Sequence, residues 1–325
     1  MAERITDLSL IRPDLRGGVV AIGNFDGVHR GHRAVLEKAL ALAEAAGRPA
    51  EVLTFEPHPR TVFSPAHPLF RLTPPQMKAK ILGHLGFSCV FEQHFDTSFA
   101  ALSAEEFIER VLIKDLGVAH VVTGFDFHFG KGRRGTPGML AEAASHHGFA
   151  VELVDAFSDE GGDVVSSSRM RALLAEGNTV EANGLLGYRF SVTAEIVHGK
   201  KLGRTLGFPT ANMALPHETA LAPGIYAVRL RRADGSLHAG VASFGRRPTT
   251  DEPDAPLLLE TFIFDGTHDL YGETCTVSLF GYLRPELKFD GLDALVDQMK
   301  ADAEEARALI AGVTPLSELD AKIAF

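Results

Sequence analysis

Two histidines three positions apart, His29 and His32, close the segment GNFDGVHRGH at residues 23–32, with only Gly31 beside them. Side chains at i and i+3 of a helix share a face, so a helix starting here presents both imidazoles together. Backbone N–H groups and the positive dipole end of a helix N-terminus point the same way, which suits a phosphate. Residues 199–212, GKKLGRTLGFPTAN, hold a second constellation: glycines, two lysines and an arginine, then Thr210 and Asn212. In an extended PTAN the Thr210 hydroxyl and Asn212 amide project to one side, and such oxygens suit a hard cation such as Mg²⁺ carrying phosphates. On composition alone a basic, mobile surface loop is the plainer reading of the same stretch. Glu260 stands as a single acid among the apolar residues 257–264, a position that costs stability unless the acid is paired, solvated or working. No GxxxxGK[ST] run occurs, so the phosphate chemistry lies outside the P-loop class.

The elements that must position these groups follow from periodicity. Residues 18–22, GVVAI, read as a buried parallel strand and residues 33–46, rich in Ala, Leu and Glu, as a helix, which makes GNFDGVHRGH a strand-to-helix turn. Further strands are expected at 50–55, 89–91, 119–123 and 150–155, and helices at 75–85, 104–112 and 139–147. The alternation specifies an α/β, doubly wound, mostly parallel sheet, with ligands beyond the carboxyl ends of its strands. From about residue 186 short alternating strands take over, at 188–197, 224–231, 237–243, 257–264 and 274–280, with Ala233-Asp234-Gly235-Ser236 as a hairpin turn. They predict a small antiparallel β-barrel, then a terminal helix over 292–310 with Leu295, Met299, Ala303 and Ala306 on its inner side. The boundary is drawn at residue 186, giving domains 1–186 and 187–325.

Three more segments fall at strand ends of the first half. Residues 55–60, FEPHPR, form a proline-stiffened turn carrying Glu56, His58 and Arg60; a loop made rigid by its prolines is the plainer reading. In residues 165–171, VSSSRMR, the serines read as helix caps, while Arg169 and Arg171 in a first turn oppose the dipole unless a polyphosphate takes their guanidinium forks. Residues 130–135, within GFDFHFGKGRRG, match GxGxxG with Asp155 about 20 residues on, which keeps an NAD(P)-dependent flavin oxidoreductase open. Against it, the aromatic residues 125–129 separate the strand from the glycines, and that fingerprint normally opens its domain.

A chain of 325 residues fits two domains. No long apolar run spans a membrane, and a first strand near residue 18 leaves no signal peptide ahead of it. Cys89 and Cys275 lack metal-ligand spacing and read as buried thiols of a reducing, cytoplasmic compartment. A net charge of −10 argues against nonspecific nucleic-acid binding. A weak homo-oligomer stays open.

Taken in order, GNFDGVHRGH, FEPHP, GFDFHFGKGRRG, VSSSRMR, GKKLGRTLGFPTAN, PGIYA, GRRPT, LETF, DLYG and LRPELKFDGLDAL resemble the bacterial bifunctional riboflavin kinase/FAD synthetase family across nearly the whole chain. The resemblance implies a Rossmann-like nucleotidyltransferase domain with an HxGH signature, followed by a riboflavin kinase barrel. The second would phosphorylate riboflavin with Mg²⁺–ATP to FMN; the first would join FMN to AMP from another ATP, giving FAD and pyrophosphate. By that likeness His29 and His32 contact the ATP phosphates, with Gly23, Asn24, Phe25, Gly31, Ser166, Ser167 and Arg171 around them, and Glu56 and Asp126 lie near FMN. In the kinase half Glu260 matches the catalytic base, Gly199, Lys201, Gly203, Thr210 and Asn212 the ATP site, and Thr210 and Asn212 the metal ligands. The chain departs from the family at Ser243, where Asn is common, and at Ser168, where Thr is. A flavin-binding regulator with one inactive half is a further alternative, which the intact catalytic positions disfavour.

Overall fold

The computed structural model describes residues 2–199, 203, 206–246, 256–266 and 268–325. Lys201 and residues 247–249 of GRRPT lie outside the described residues. By contacts the chain forms two compact units that divide between Ser167 and Ser168.

The first unit is a six-stranded parallel sheet in the order β1-β4-β3-β2-β5-β6, with β1 Glu3–Ile5, β2 Val19–Ile22, β3 Ala50–Glu56, β4 Cys89–His94, β5 His120–Gly124 and β6 Ala150–Val154. Strands β2, β3 and β4 are buried along most of their length, which is why they read as continuous apolar runs. The sheet begins at β1, not near residue 18. Three residues carry no periodicity, and pairing with β4 (Glu3↔Cys89) is what makes them a strand. Helix α1, Arg30–Ala46, buries Val35, Leu36, Ala39 and Ala43, packs on β2 and β5, and stops at Gly47 in the left-handed region. Helices α2 Pro59–Phe63, α3 Pro75–Leu85 and α5 Pro137–His147 start on prolines. Between α3 and α5, α4 (Ala104–Phe107) opens on a Ser103/Glu106 capping box and runs on as a π-helix, Ile108–Asp115. Successive strands step from β2 out to β3 and β4, and the chain then returns to the other flank of β2 with β5. The reversal places the crevice of a doubly wound sheet at the carboxyl ends of β2 and β5.

The second unit carries helices α6 Ser167–Ala175 and α7 Thr179–Leu186 and a closed antiparallel barrel ordered β10-β11-β8-β7-β12-β9. Its strands are β7 Ser191–Val197, β8 Thr210–Leu215, β9 Gly224–Arg231, β10 Leu237–Arg246, β11 Leu257–Ile263 and β12 Thr274–Arg284. Helix α8, Leu292–Ala311, lays Ala303, Ala306 and Ile310 on the outside of β9, β10 and β12. Leu295 and Met299 are only half-buried, and Asp302 on this helix is buried in an ion pair with Arg284 (2.6 Å). A short α9, Glu318–Ala324, follows; its buried Asp320 pairs with Arg189 and accepts from the Arg189 N–H at 2.8 Å. The residue 186 boundary follows composition, whereas contacts count α6 and α7 with the barrel. Ala222 N–H donates to Leu174 O (2.9 Å), and the Asn183 amide links Leu279 O (2.9 Å) to Phe190 N–H (2.8 Å).

Candidate active sites

In the first unit β2 runs into a turn with little choice of shape. Phe25 (φ 46°) and Val28 (φ 39°) are left-handed without being glycine, and Gly27 lies at φ 92°; each such non-glycine residue costs on the order of 1–3 kcal/mol and persists only where its surroundings enforce it. His29 caps α1: its Nδ1 accepts the His32 N–H at 3.2 Å, so in the neutral ring the proton sits on Nε2. The two imidazoles stack, centroids 3.6 Å apart and 17° between planes, and the Phe25 ring meets His32 edge-on at 5.4 Å. His29 therefore stands at the cap and His32 in the first turn, side by side at the dipole's positive end.

Gly31 has a steric reason. A Cβ there would come 2.9 Å from Val165 O and 3.2 Å from the His29 ring. Its absence lets residues 165–167 lie against the start of α1, where Ser166 and Ser167 are half-buried and Ser167 Oγ donates to Asp26 O at 2.8 Å. Gly23 is crowded likewise: a Cβ would be 2.9 Å from the Phe25 ring. Asn24 Oδ1 is buried without a hydrogen-bond partner. Asp126 is exposed just beyond β5, the neighbour of β2. Arg171 lies on α6 past the division, in the second unit, and Arg169 is occupied by Glu181 at 3.1 Å.

Glu56 behaves differently from an open ligand contact. Arg71 grips both its oxygens at 2.7 Å and Lys78 Nζ reaches Oε1 at 2.7 Å, cations that hold its carboxyl below the usual range against the cost of burial. Sequence reasoning missed Arg71, Thr73 and Lys78. The signal was Lys78 on the same face of α3 as Ile81 and Leu82, where a charge has no water. Beside this cluster Phe55, Phe95, Phe99 and Phe107 form a ring-to-ring patch, and Phe63 packs edge-on against Phe95 at 5.8 Å while staying 66% exposed. The GKGRRG segment is no dinucleotide turn: Phe129 and Gly135 bridge it into a hairpin, and a Cβ on Gly130 would lie 2.7 Å from the Ala104 nitrogen.

In the barrel one row of paired residues crosses three strands. Ser243 on β10 faces Glu260 on β11, and Glu260 faces Asn212 on β8. Directly paired residues project to the same side of a sheet, and Thr210, two residues before Asn212, joins them. Their neighbours Phe244, Leu259, Thr261, Ala211 and Met213 are buried on the other side, so the row stands on the barrel's outer face. Asn212 Nδ2 turns back to Thr210 O at 3.1 Å and Oγ1 at 3.4 Å. Gly199 presses its backbone on that amide, where a Cβ would come 2.8 Å from both amide atoms, and a Cβ on Gly203 would be 2.3 Å from Phe208 O. A hydroxyl, an amide and a carboxylate make an all-oxygen donor set with few protein ligands, which fits Mg²⁺ shared with phosphates. Next to Thr210 is a cavity of about 40 Å³ lined by Ala211, Thr261, His268, Leu270 and Tyr271. Thr261 Oγ1 is buried without a hydrogen-bond partner, and the Tyr271 ring lies 3.9 Å from that of His198.

The family profile described as FAD synthetase matches residues 11–169, and that described as riboflavin kinase matches residues 186–310. The bifunctional riboflavin kinase/FMN adenylyltransferase of Listeria monocytogenes is 40% identical, covering 90% of this chain and 92% of its own. The chain belongs to this bifunctional family. Members from Escherichia coli (39% identical, 90% of this chain and 92% of theirs) and Pseudomonas fluorescens (39%, 95% and 98%) are similar over the same span. A crystal structure from Streptococcus pneumoniae titled as a macrolide-efflux protein superposes with TM-score 0.81 at 33% identity, covering 94% of this chain and 98% of its own. Among the described residues no helix is long and apolar enough to cross a membrane.

Proposed function

We propose that the family's two reactions divide between the units, with FMN adenylylation at the 23–32 turn and riboflavin phosphorylation on the Ser243–Glu260–Asn212 row. What supports this reading is that the stacked His29 and His32 at the start of α1 belong to one unit and the Ser243–Glu260–Asn212 row to the other. FMN brings a phosphate largely dianionic near neutrality, its second pKa being about 6. It attacks the α-phosphorus of ATP and pyrophosphate leaves, so the site needs alignment and charge stabilisation and no base. His29 and His32 supply that charge stabilisation, supported by Ser166 and Ser167 and by the Gly23–Asn24–Phe25 turn. Phe63 offers a flat apolar face for the flavin ring, Asp126 a polar contact at its edge, and Glu56 shapes the pocket through Arg71.

Riboflavin brings a primary alcohol, a poor nucleophile until deprotonated. Glu260 takes that proton, the alkoxide oxygen attacks the γ-phosphorus, and ADP leaves. Thr210 and Asn212 would hold Mg²⁺, which neutralises phosphate charge when bound. Gly199, close against Asn212, and Gly203, near Thr210, line the ATP phosphates. Both cysteines are buried free thiols, in keeping with a cytoplasmic enzyme of small-molecule flavins and ATP.

One experiment tests this. Purified protein is incubated with riboflavin and Mg²⁺–ATP and the products are chromatographed. FMN followed by FAD is expected. Bound but unchanged flavin would favour the regulator, and flavin reduction by NAD(P)H the oxidoreductase.

A further inference from the structure

Under the 23–29 turn lie four charged side chains, Asp26, Glu56, Arg71 and Lys78, two of each sign and 2%, 14%, 17% and 0% exposed. Lys78 is the most enclosed. Its ammonium has three donors, and all three are used, on Asn24 O (3.1 Å), Thr54 Oγ1 (2.8 Å) and Glu56 Oε1 (2.7 Å). None is left for a substrate. Thr73 makes the companion contacts: its hydroxyl accepts the Gly27 N–H at 2.8 Å, and its own N–H and that of Leu72 donate to the Asp26 carboxylate at 3.0 and 3.2 Å. One short segment, Arg71 through Lys78, therefore grips Asn24, Asp26 and Gly27. The held residues alternate with the strained ones, Phe25 lying between two grips and Val28 next to the third.

A buried set of ions is poor at adding stability, since apolar residues of similar volume often do as well. Here two of the contacts end on backbone atoms of the turn, Asn24 O and Gly27 N, which points to shape. We propose that Lys78 and Thr73 are positioning residues for adenylyl transfer to FMN. They lock the left-handed turn and so fix where the stacked His29 and His32 rings stand at the end of α1. The proposal rests on the reading of that turn as the adenylylation site.

The test uses full-length variants, following FMN-to-FAD and riboflavin-to-FMN turnover separately together with thermal melting. Lys78→Met keeps length and removes charge; Thr73→Val keeps shape and removes the hydroxyl, which Thr73→Ser restores. Lys78→Met should lower kcat for FAD formation on the order of 100-fold and Thr73→Val about tenfold, with KM for ATP and FMN little changed, as for misplacement of reacting groups. Thr73→Ser should recover wild-type kcat, and riboflavin phosphorylation should be unchanged throughout. Wild-type kcat in Thr73→Val, or a Thr73→Ser enzyme as impaired as Thr73→Val, overturns the proposal, and this pair decides it even where Lys78→Met does not fold. His29→Ala in parallel separates the two readings. If it keeps FAD formation, the turn is not the site; if it loses FAD formation while Thr73→Val does not, only the clamp falls.

Discussion

His29 has two duties, capping α1 through Nδ1 and, buried in the turn, stacking its ring on that of His32. His29→Ala should therefore lose a helix cap, costing about 1 kcal/mol, and lower FMN-to-FAD turnover by about 100- to 1,000-fold, as loss of preorganised charge stabilisation does. Riboflavin phosphorylation measured on the same preparation should not change; a parallel fall in a folded variant would refute separate sites. In the barrel Glu260→Gln keeps the shape of the row and removes the proposed base, so kinase kcat should drop about 100-fold or more while riboflavin KM holds. Asn212→Ala should instead raise the KM for Mg²⁺–ATP. Both should still convert supplied FMN to FAD. The histidines and Glu260 were legible because their types and spacing are unusual in their settings. Lys78 was legible only through its neighbours Ile81 and Leu82 on one face of α3, a faint signal because a lysine's long stem ordinarily carries its charge out to water.

At the scale of elements, strands and helices with strong periodicity emerged near their expected limits, and helix 75–85 is found as Pro75–Leu85. The misses were helices α2 and α7, strand β8 beyond its PTAN start, and the short β1 and α9, the last two of which owe their conformation to partners far along the chain. Strand β3 carries another group hidden from pattern reading. Glu51 is 0% exposed with neither carboxylate oxygen hydrogen-bonded, and a Cβ on Gly18 would come within 2.6 Å of its carboxyl carbon. Burial pushes its pKa from the ordinary 4.5 up to about 8. The folded protein thus keeps a proton that the unfolded chain releases near 4.5, so this stability is complete below that pH and lost as pH rises to about 8. Wild type should lose a few kcal/mol between pH 5 and pH 8 that Glu51→Gln does not, read as unfolding free energy in urea. Equal pH slopes for the two proteins would show that Glu51 is ionised in the fold.

For the whole molecule, the composition boundary at residue 186 and the contact division at Ser167/Ser168 make different fragments. The segment between them holds α6 and α7, which hydrogen-bond to the barrel through Leu174 and Asn183. Both 168–325 and 187–325 keep the Glu260 row and should make FMN from riboflavin and no FAD. The longer fragment should melt several degrees higher, since about 1 kcal/mol moves the midpoint of a domain of this size by roughly 4 °C. Equal midpoints would mean that α6 and α7 add nothing to the barrel, and FAD from either fragment would overturn the division of labour.

The row that joins Ser243, Glu260 and Asn212 depends on parity, for every second residue of β8 and β11 belongs to it and the others belong to the core. Parity is blind to substitution and sensitive to length. One extra codon within β11 ahead of Glu260 would turn the carboxylate inward and send Leu259 out, exchanging the two faces in a single step. One extra codon in the hairpin at residues 233–236 displaces nothing, because it adds length where no strand is counted. A library of single-codon insertions should therefore divide sharply along the gene: kinase activity erased throughout β8 and β11 and retained at that turn. Drift in this barrel can rewrite its letters, but its spacing is held.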